Sequence, residues 1–554
     1  VKARIALYSI FVFFVVFMFY PLGYVFMKAF FFSGRFSPVF FQYMFTNSLL
    51  RECILNSFML GSIVTAATAG LAFPLAFIMS RFNFRGKGVL SSLLLVPMIM
   101  PPFVGAIGMR HILGRSGSIN LLLTKLGILT TPVDWLGGGG FWGVVLMEVL
   151  HLYPLMFLNV SAALANIDPG MEEAAKNLGA TGSRLFRTIT FPLMLPGFFA
   201  GASLVFIWAF TDLGTPLIFE YTRVVPVQIF NMVTDIGENP MGYALVILVL
   251  LLTLTFFFLS KKIVGREGYA IMTKGQIGRE EKELKGINRI AVYIFIFIVI
   301  GFSLLPHLSV LATSISKSWF MSIFPTEITA RYYGLVFRHP LTISSIRNSL
   351  FLSFLSTIFD LAIGLTIAYL LCRTKIAGRE ILDGMVMLPL AIPGLILAFG
   401  YVASFSGGIL DPRNNPFPLL IIAYTIRRIP YVVRAAYAGL QQTSITFEEA
   451  SQNLGASPFY TFRRITIPLI SANVVAGGIL AFSFAMLEVS DSLILAMKEQ
   501  FYPVTKAIYI LVGRIADGPY IASAMGILGM ILLTVSLFLS NRFLGRKMGE
   551  LFRI

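Results

Sequence analysis

Residues 172–192 read EEAAKNLGATGSRLFRTITFP, and residues 448–468 read EEASQNLGASPFYTFRRITIP. At an offset of 276, 12 of the 21 positions are identical. Both copies are polar islands between long apolar stretches. A polar loop repeated in a chain this apolar points to two equivalent docking points for a partner on one side of a membrane.

The surroundings of the loops set the fold class. Hydrophobic residues make up 57% of the chain, mean hydropathy is +0.83, and 12% of residues are charged, against about 25% in a soluble protein. Several apolar runs reach the ~20 residues a helix needs to cross a bilayer. Backbone groups in lipid must be satisfied internally, so these runs are expected as helices; the alternating pattern of an outer-membrane barrel is missing. The expectation is an all-α polytopic membrane protein with about twelve transmembrane helices, at 5–27, 53–80, 89–110, 141–163, 192–216, 241–262, 289–312, 347–371, 382–405, 418–440, 468–494 and 520–541. The first run follows Lys2 and Arg4, exceeds a typical signal-peptide core and lacks a small-residue cleavage site, so it reads as a span.

The net charge of +17 is a topology signal. Roughly 25 of the 43 Lys and Arg fall in one set of loops that includes both termini, which places that set in the cytoplasm. Nucleic-acid binding is not expected. Cys53 and Cys372 lie far apart near span ends and predict no disulfide framework. The four histidines are scattered without metal-ligand spacing, and no nucleophile–base–acid constellation occurs, so neither a metal nor a catalytic site is expected.

The repeat extends beyond the loops. At an offset of 292, Asn56 and Ser57 align with Asn348 and Ser349, Arg81 with Arg373, Gly86 with Gly378, Pro97 with Pro389, Pro101 with Pro393 and Gly108 with Gly400. The change from 292 to 276 means an insertion of about 16 residues before the fourth span of the first half, near the four glycines at 137–140. The domains are then a first repeat at 1–264, a charged cytoplasmic linker at 265–288 and a second repeat at 289–554. Each holds six spans, so the repeats run parallel, with a translocation path expected between them.

The loops, 168–192 and 444–468, carry legible punctuation. Asp168 reads as an N-cap before Pro169, with Ser444 in the equivalent place. A short helix runs through Glu172–Leu178 and Glu448–Leu454. Gly179 and Gly455 end it in the left-handed conformation. Thr181 and Ser457 cap a second short helix, and Pro192 and Pro468 stand where the next span begins. Small residues (Ala174, Ala175, Ala180; Ala450, Ser451, Ala456) allow close approach by another protein. An ordinary interfacial amphipathic helix is the plainer reading of one copy; two copies at matching positions argue against it.

This pattern resembles the signature loop of ATP-binding-cassette importer permeases: Glu173-Ala174-Ala175, Gly179 and Ile189 to Pro192, then Glu449-Ala450-Ser451, Gly455 and Ile465 to Pro468. The resemblance implies a type I importer permease fold. It implies that Glu172, Glu173, Ala174, Ala175 and Gly179, with Glu448, Glu449, Ala450, Ser451 and Gly455, couple to an ATPase. The segment RFNFRGKG at 81–88 lacks the first glycine and the Ser or Thr of a phosphate-binding loop. ATP and Mg are therefore expected on two copies of a separate cytoplasmic ATPase subunit, with no cofactor on this chain. An extracytoplasmic binding protein is expected to deliver substrate. The implied location is a bacterial inner membrane, with both termini cytoplasmic. An ion-coupled secondary transporter is the rival class, but it has no reason to duplicate such a loop.

Polar residues within spans are costly and point to a path or a partner. Asp212 aligns with Glu488 at offset 276, and Asp491 follows one turn later. Twenty residues of helix from Pro192 or Pro468 is about 30 Å, which takes these acids to the outer end of the path. They either attract a cation or form structural pairs. Arg427, Arg428 and Arg434 crowd the tenth span, where the first copy has Glu148 and His151 instead. They either meet an anionic substrate, or pair with acids or snorkel to the interface. Fused permeases of this size look most like the ferric-iron and thiamine group, whose relatives carry phosphonates, sugar phosphates or polyamines. Carboxylate oxygens suit ferric iron, the first expectation for substrate.

Overall fold

The computed structural model describes residues 2–32, 35–234, 236, 240–265, 282–514 and 516–544. Most of the predicted linker at 265–288 lies outside the described residues. The described chain is almost wholly helical, with three pairings of strand or bridge type.

Eight single helices are long and apolar enough to cross a membrane: Arg4–Phe30, Ser48–Arg81, Phe141–Ala165, Gly182–Ile218, Met241–Ser260, Gly286–Ser314, Pro340–Arg373 and Gly518–Ser540. Three further candidates are bent pairs: Lys87–Ile99 with Pro102–Lys125, Arg379–Leu390 with Gly394–Phe405, and Pro458–Leu469 with Ser471–Met486, at 92°, 99° and 78°. Phe417–Gln442 is a 26-residue helix, about 39 Å long. Its three arginines keep it below the hydropathy needed to read as a span. Proline explains the first two bends. Pro97 and Pro101 flank one break, Pro389 and Pro393 the other, and each ring removes a helix hydrogen bond.

The chain divides into two compact units. One, here the amino unit, comprises Glu52–Val224 and Leu251–Thr329. The other, the carboxy unit, comprises Val1–Arg51, Val225–Leu250 and Ala330–Leu551. The leading helix of each sequence half thus belongs with the helices of the other half.

Small residues set the packing inside each unit. In the amino unit, a Cβ added at Gly197 would fall 2.5 Å from Ala163 Cβ, and one at Gly201 would fall 2.8 Å from Met156 Sδ. The small-xxx-small step on this span therefore seats it against Phe141–Ala165. Gly108 is as tightly packed, since an added Cβ would fall 2.6 Å from the Val310 backbone nitrogen. In the carboxy unit, an added Cβ would fall 2.8 Å from Val432 at Gly364 and 2.9 Å from Ala435 at Gly477. These contacts lock Phe417–Gln442 between Pro340–Arg373 and Ser471–Met486. The leading helix joins this unit through the Tyr401 hydroxyl, which donates to the Phe17 carbonyl at 2.8 Å.

Candidate functional site: two elbows and their ion pairs

Each repeated loop folds as two short helices joined at a glycine. In the first, the Asp168 carboxylate accepts from the Gly170 amide at 2.8 Å, and Pro169 opens the helix Pro169–Asn177. Gly179 takes φ +85°. The amides of Gly179 and Ala180 then close on the carbonyls of Lys176 and Ala175, both at 2.9 Å. In the second loop the helix is Thr446–Asn453, Gly455 takes φ +89°, and Ala456 closes on Ser451 at 3.1 Å.

Two details differ from the sequence expectation. Ser444 accepts from the Thr446 amide at 3.3 Å but stands one residue before the N-cap position, which Ile445 occupies. Thr181 has the extended backbone of an N-cap without a side-chain bond, whereas Ser457 accepts from Tyr460 at 3.3 Å. In both copies the second helix then widens into one π-helical turn, Phe186–Thr190 and Phe462–Thr466. The first copy runs straight on through Pro192. The second breaks at Ile470, two residues beyond Pro468.

The two neighbouring glutamates of each loop face opposite ways. Glu173 and Glu449 are exposed, as are Ala174 and Ala450. Glu172 and Glu448 are each 3% exposed. Ala175 is buried and Ser451 half-buried. Leu178 and Leu454, at 88% and 89% exposure, project from the elbows. Each elbow therefore offers a face of one acid, one small residue and one leucine, and turns its other face into its own unit.

The buried glutamates meet arginines that end the second span of each half. Arg81 donates from both terminal nitrogens to Glu172, at 2.8 and 2.5 Å, and the Thr190 hydroxyl adds a bond to the same carboxylate at 2.8 Å. Arg373 donates from Nε to Glu448 at 3.0 Å, and from Nη2 to the carbonyls of Leu440 and Thr443 at 3.0 and 2.8 Å. Thr466, the counterpart of Thr190, has no protein partner for its hydroxyl. Both pairs are nearly closed to solvent, so each guanidinium–carboxylate contact is strong and directional. The internal repeat aligns Arg81 with Arg373 and Glu172 with Glu448, but spacing alone does not join them. Two charged positions repeated in both halves near one membrane face were the available signal.

The segment RFNFRGKG forms the turn beyond this pair. Phe82–Asn83 lies parallel to Lys282–Glu283, and the Leu284 amide donates to the Asn83 carbonyl at 3.2 Å. Tyr293 donates to the Arg85 carbonyl at 2.7 Å. The turn after Arg81 is thereby fixed to the helix Gly286–Ser314.

The intramembrane acids lie at chain breaks. Asp212 follows the end of Phe191–Thr211, and Glu488 stands between Ser471–Met486 and Ser490–Leu495. In the carboxy unit, Arg427 reaches Glu488 at 2.5 Å and Asp491 at 3.3 Å. Arg428 pairs with the other Glu488 oxygen and donates to the Phe484 carbonyl at 3.1 Å. Arg434 pairs with Asp383 at 3.3 Å. Of the two readings of these arginines, pairing with acids is what the structure displays. Asp360, fully buried nearby, has no protein partner on either oxygen.

The amino unit is different. Glu148 is 2% exposed and accepts from the Thr215 hydroxyl at 3.1 Å, while Asp212 accepts from the Thr215 amide at 2.8 Å. Among the described residues no Lys or Arg pairs with either. His151 stands where the second half has Arg427, and Thr215 where it has Asp491. The first half thus keeps two acids without a cation, and the second neutralises its acids internally.

The chain matches the family described as binding-protein-dependent transport system inner membrane component, over residues 72–267 and again over 360–550. It belongs to this family. The match includes both elbows and both acid clusters. A ferric transport system permease protein of Actinobacillus pleuropneumoniae is 27% identical over 96% of this chain and 77% of its own. An Fe(3+)-transport system permease protein of Haemophilus influenzae is 24% identical over 81% of this chain and 82% of its own. A molybdenum transport system permease protein of the same organism is 30% identical over 35% of this chain, about one repeat, and 85% of its own. The chain is a multi-pass inner-membrane permease of an ATP-binding-cassette importer, a transport subunit rather than an enzyme, and works with ATPase and substrate-binding partners.

Proposed function

We propose that this permease carries ferric iron inward across the membrane. The observation that carries the reading is that relatives named for ferric transport align along almost the whole chain, both repeats together. The Glu148–Asp212 pair supports it, because hard carboxylate oxygens without a fixed cation suit a hard cation. The pairing of Arg427 and Arg428 with Glu488 and Asp491 takes support from an anionic substrate.

In this reading the repeats 1–264 and 289–554 each contribute six spans, twelve in all, with Phe417–Gln442 as the tenth. Both termini and the linker at 265–288 are cytoplasmic. Two copies of one ATPase subunit, holding ATP and Mg, dock on the elbows through Glu173, Ala174 and Leu178, and through Glu449, Ala450 and Leu454. Glu172 with Arg81, and Glu448 with Arg373, transmit the elbow's movement to the second span of each half. Gly179 and Gly455 set the angle of each elbow. This chain binds no cofactor, and an external binding protein presents the iron. Asp212 lies on the path, whereas Glu488 and Asp491 hold helices together.

Uptake by proteoliposomes containing the permease, its ATPase and a ferric-loaded binding protein tests the reading. ATP-dependent accumulation of iron is expected. Accumulation of thiamine, a phosphonate or a sugar phosphate, with none of iron, would overturn the substrate assignment while leaving the elbows' role in place.

A further inference from the structure

The repeated pairs Asn56-Ser57 and Asn348-Ser349 fall on the helices Ser48–Arg81 and Pro340–Arg373, 34 residues each. In each helix the asparagine stands 25 positions before the arginine that meets the elbow glutamate. About 38 Å of helix separates the two contacts. Pro74 interrupts the first helix, whereas the second runs past its opening turn without an internal proline.

In the carboxy unit, Asn348 Nδ2 donates to the carbonyls of Gln500 and Tyr502, at 2.9 and 3.2 Å. The Ser349 hydroxyl accepts from the Val504 amide at 2.8 Å. Both side chains are buried. In the amino unit, Asn56 Nδ2 donates to the Arg223 carbonyl at 3.1 Å. Arg223 and Gln500 hold equivalent places, each three residues before a Pro-Val step, Pro226-Val227 and Pro503-Val504. The same contact therefore occurs in both copies. It goes to backbone groups, so the side chains of the bonded segments are free to differ, and they read TRVV at 222–225 and EQFY at 499–502.

The bonded segment of the carboxy unit leads to the acids. The Thr505 hydroxyl donates to the Glu488 carbonyl at 2.6 Å, and Lys506 Nζ to the Leu493 carbonyl at 2.7 Å. The stretch 500–506 is thus tied on one side to the long helix and on the other to the chain break that carries Glu488 and Asp491.

We propose that Asn348 with Ser349, and Asn56 in the other half, are positioning residues of transport: they make the far end of each long helix carry the segment bonded to it. This rests on the coupling proposed for Arg373 with Glu448 and Arg81 with Glu172. A helix gripped at one end by the elbow and at the other by this segment is a strut between them. Movement of the elbow then displaces the break at Glu488, about 38 Å of helix away.

The permease–ATPase complex in lipid nanodiscs, with Cys53→Ser and Cys372→Ser, carries a nitroxide at the exposed position of Lys498→Cys. Its spectrum is recorded with and without a non-hydrolysable ATP analogue. A nucleotide-dependent change in label mobility is expected, with loss of that change in Asn348→Ala and in Arg373→Gln. Asn56 is only half-buried, so Asn56→Ala, with the label at Thr222→Cys and Arg81→Gln as its companion, repeats the test where the fold tolerates the change better. A response kept in both asparagine variants but lost in the arginine variants would overturn the inference and leave the elbow coupling standing, even if the asparagine variants melt at lower temperature. A response kept in the arginine variants would overturn the coupling and the inference with it. A parent complex whose label ignores nucleotide would also overturn the inference.

Discussion

Arg81 and Glu172 are 91 positions apart and meet in a two-pronged ion pair at 2.8 and 2.5 Å. The contact ties the end of a long membrane helix to the first turn of the first elbow. Arg373 and Glu448 repeat it, 75 positions apart, with one prong and two carbonyl bonds instead. In the proposed coupling, a pull on either elbow reaches the second span of its half through one buried carboxylate.

Removing one member of such a pair leaves a charge without its partner. Arg81→Gln should destabilise the amino unit by about 3–5 kcal/mol, with Glu172→Gln in the same range. The double variant should cost less than the sum, because its two neutral amides replace the buried charges. Thermal unfolding of the four proteins gives the coupling energy. Simple additivity would mean that the pair does not act as one.

Gly179 and Gly455 sit in open space, with nothing within 4 Å of an added Cβ, so their positive φ is the only constraint. Alanine at either should cost about 1–2 kcal/mol from backbone strain alone. Proline also fixes φ near −65° and removes the amide that bonds Lys176 or Gln452. Gly179→Pro with Gly455→Pro should therefore insert normally yet lose transport while ATP hydrolysis continues. Wild-type uptake by that double variant would refute the elbow geometry.

The exposed leucines separate docking from folding. Leu178→Asp with Leu454→Asp should leave the permease's melting temperature unchanged, because neither side chain packs on its own chain. It should reduce co-purification of the ATPase about tenfold or more. Glu173→Lys with Glu449→Lys should act in the same direction and be smaller in high salt, since these charges are exposed. Undiminished co-purification in both double variants would place the docking surface elsewhere.

The acids should divide by half. Asp212→Asn with Glu148→Gln removes two carboxylates that no described Lys or Arg balances, so iron uptake should fall while the protein stays folded. Glu488→Gln strips the partner shared by Arg427 and Arg428 and should lower stability by about 3–5 kcal/mol. Uptake per folded molecule and melting temperature distinguish the two effects. The reverse pattern would exchange the roles given to the two clusters.

Much of this was readable before any coordinates. The duplicated loop gave the elbows, their glycine joints and the family, because helix ends are written in local residue chemistry. Side-chain partners were harder. Glu172 and Glu173 are adjacent and identical, and only helix phase decides that one is buried and the other exposed. For Arg427 and Arg428 the sequence favours a structural role over a substrate role without naming the partner, which is Glu488. The bend at Ile470 and the π-helical turns carry no residue signature.

In the proposed mechanism the buried arginine–glutamate pairs carry the motor's work from elbow to span. Iron accumulation and ATP hydrolysis measured in the same proteoliposomes, for the wild type and for Arg81→Gln with Arg373→Gln, test it most directly. ATP hydrolysis should persist in the variant while the iron carried per ATP falls about tenfold or more. An unchanged ratio of iron to ATP, in a variant shown to be folded and assembled, would contradict it.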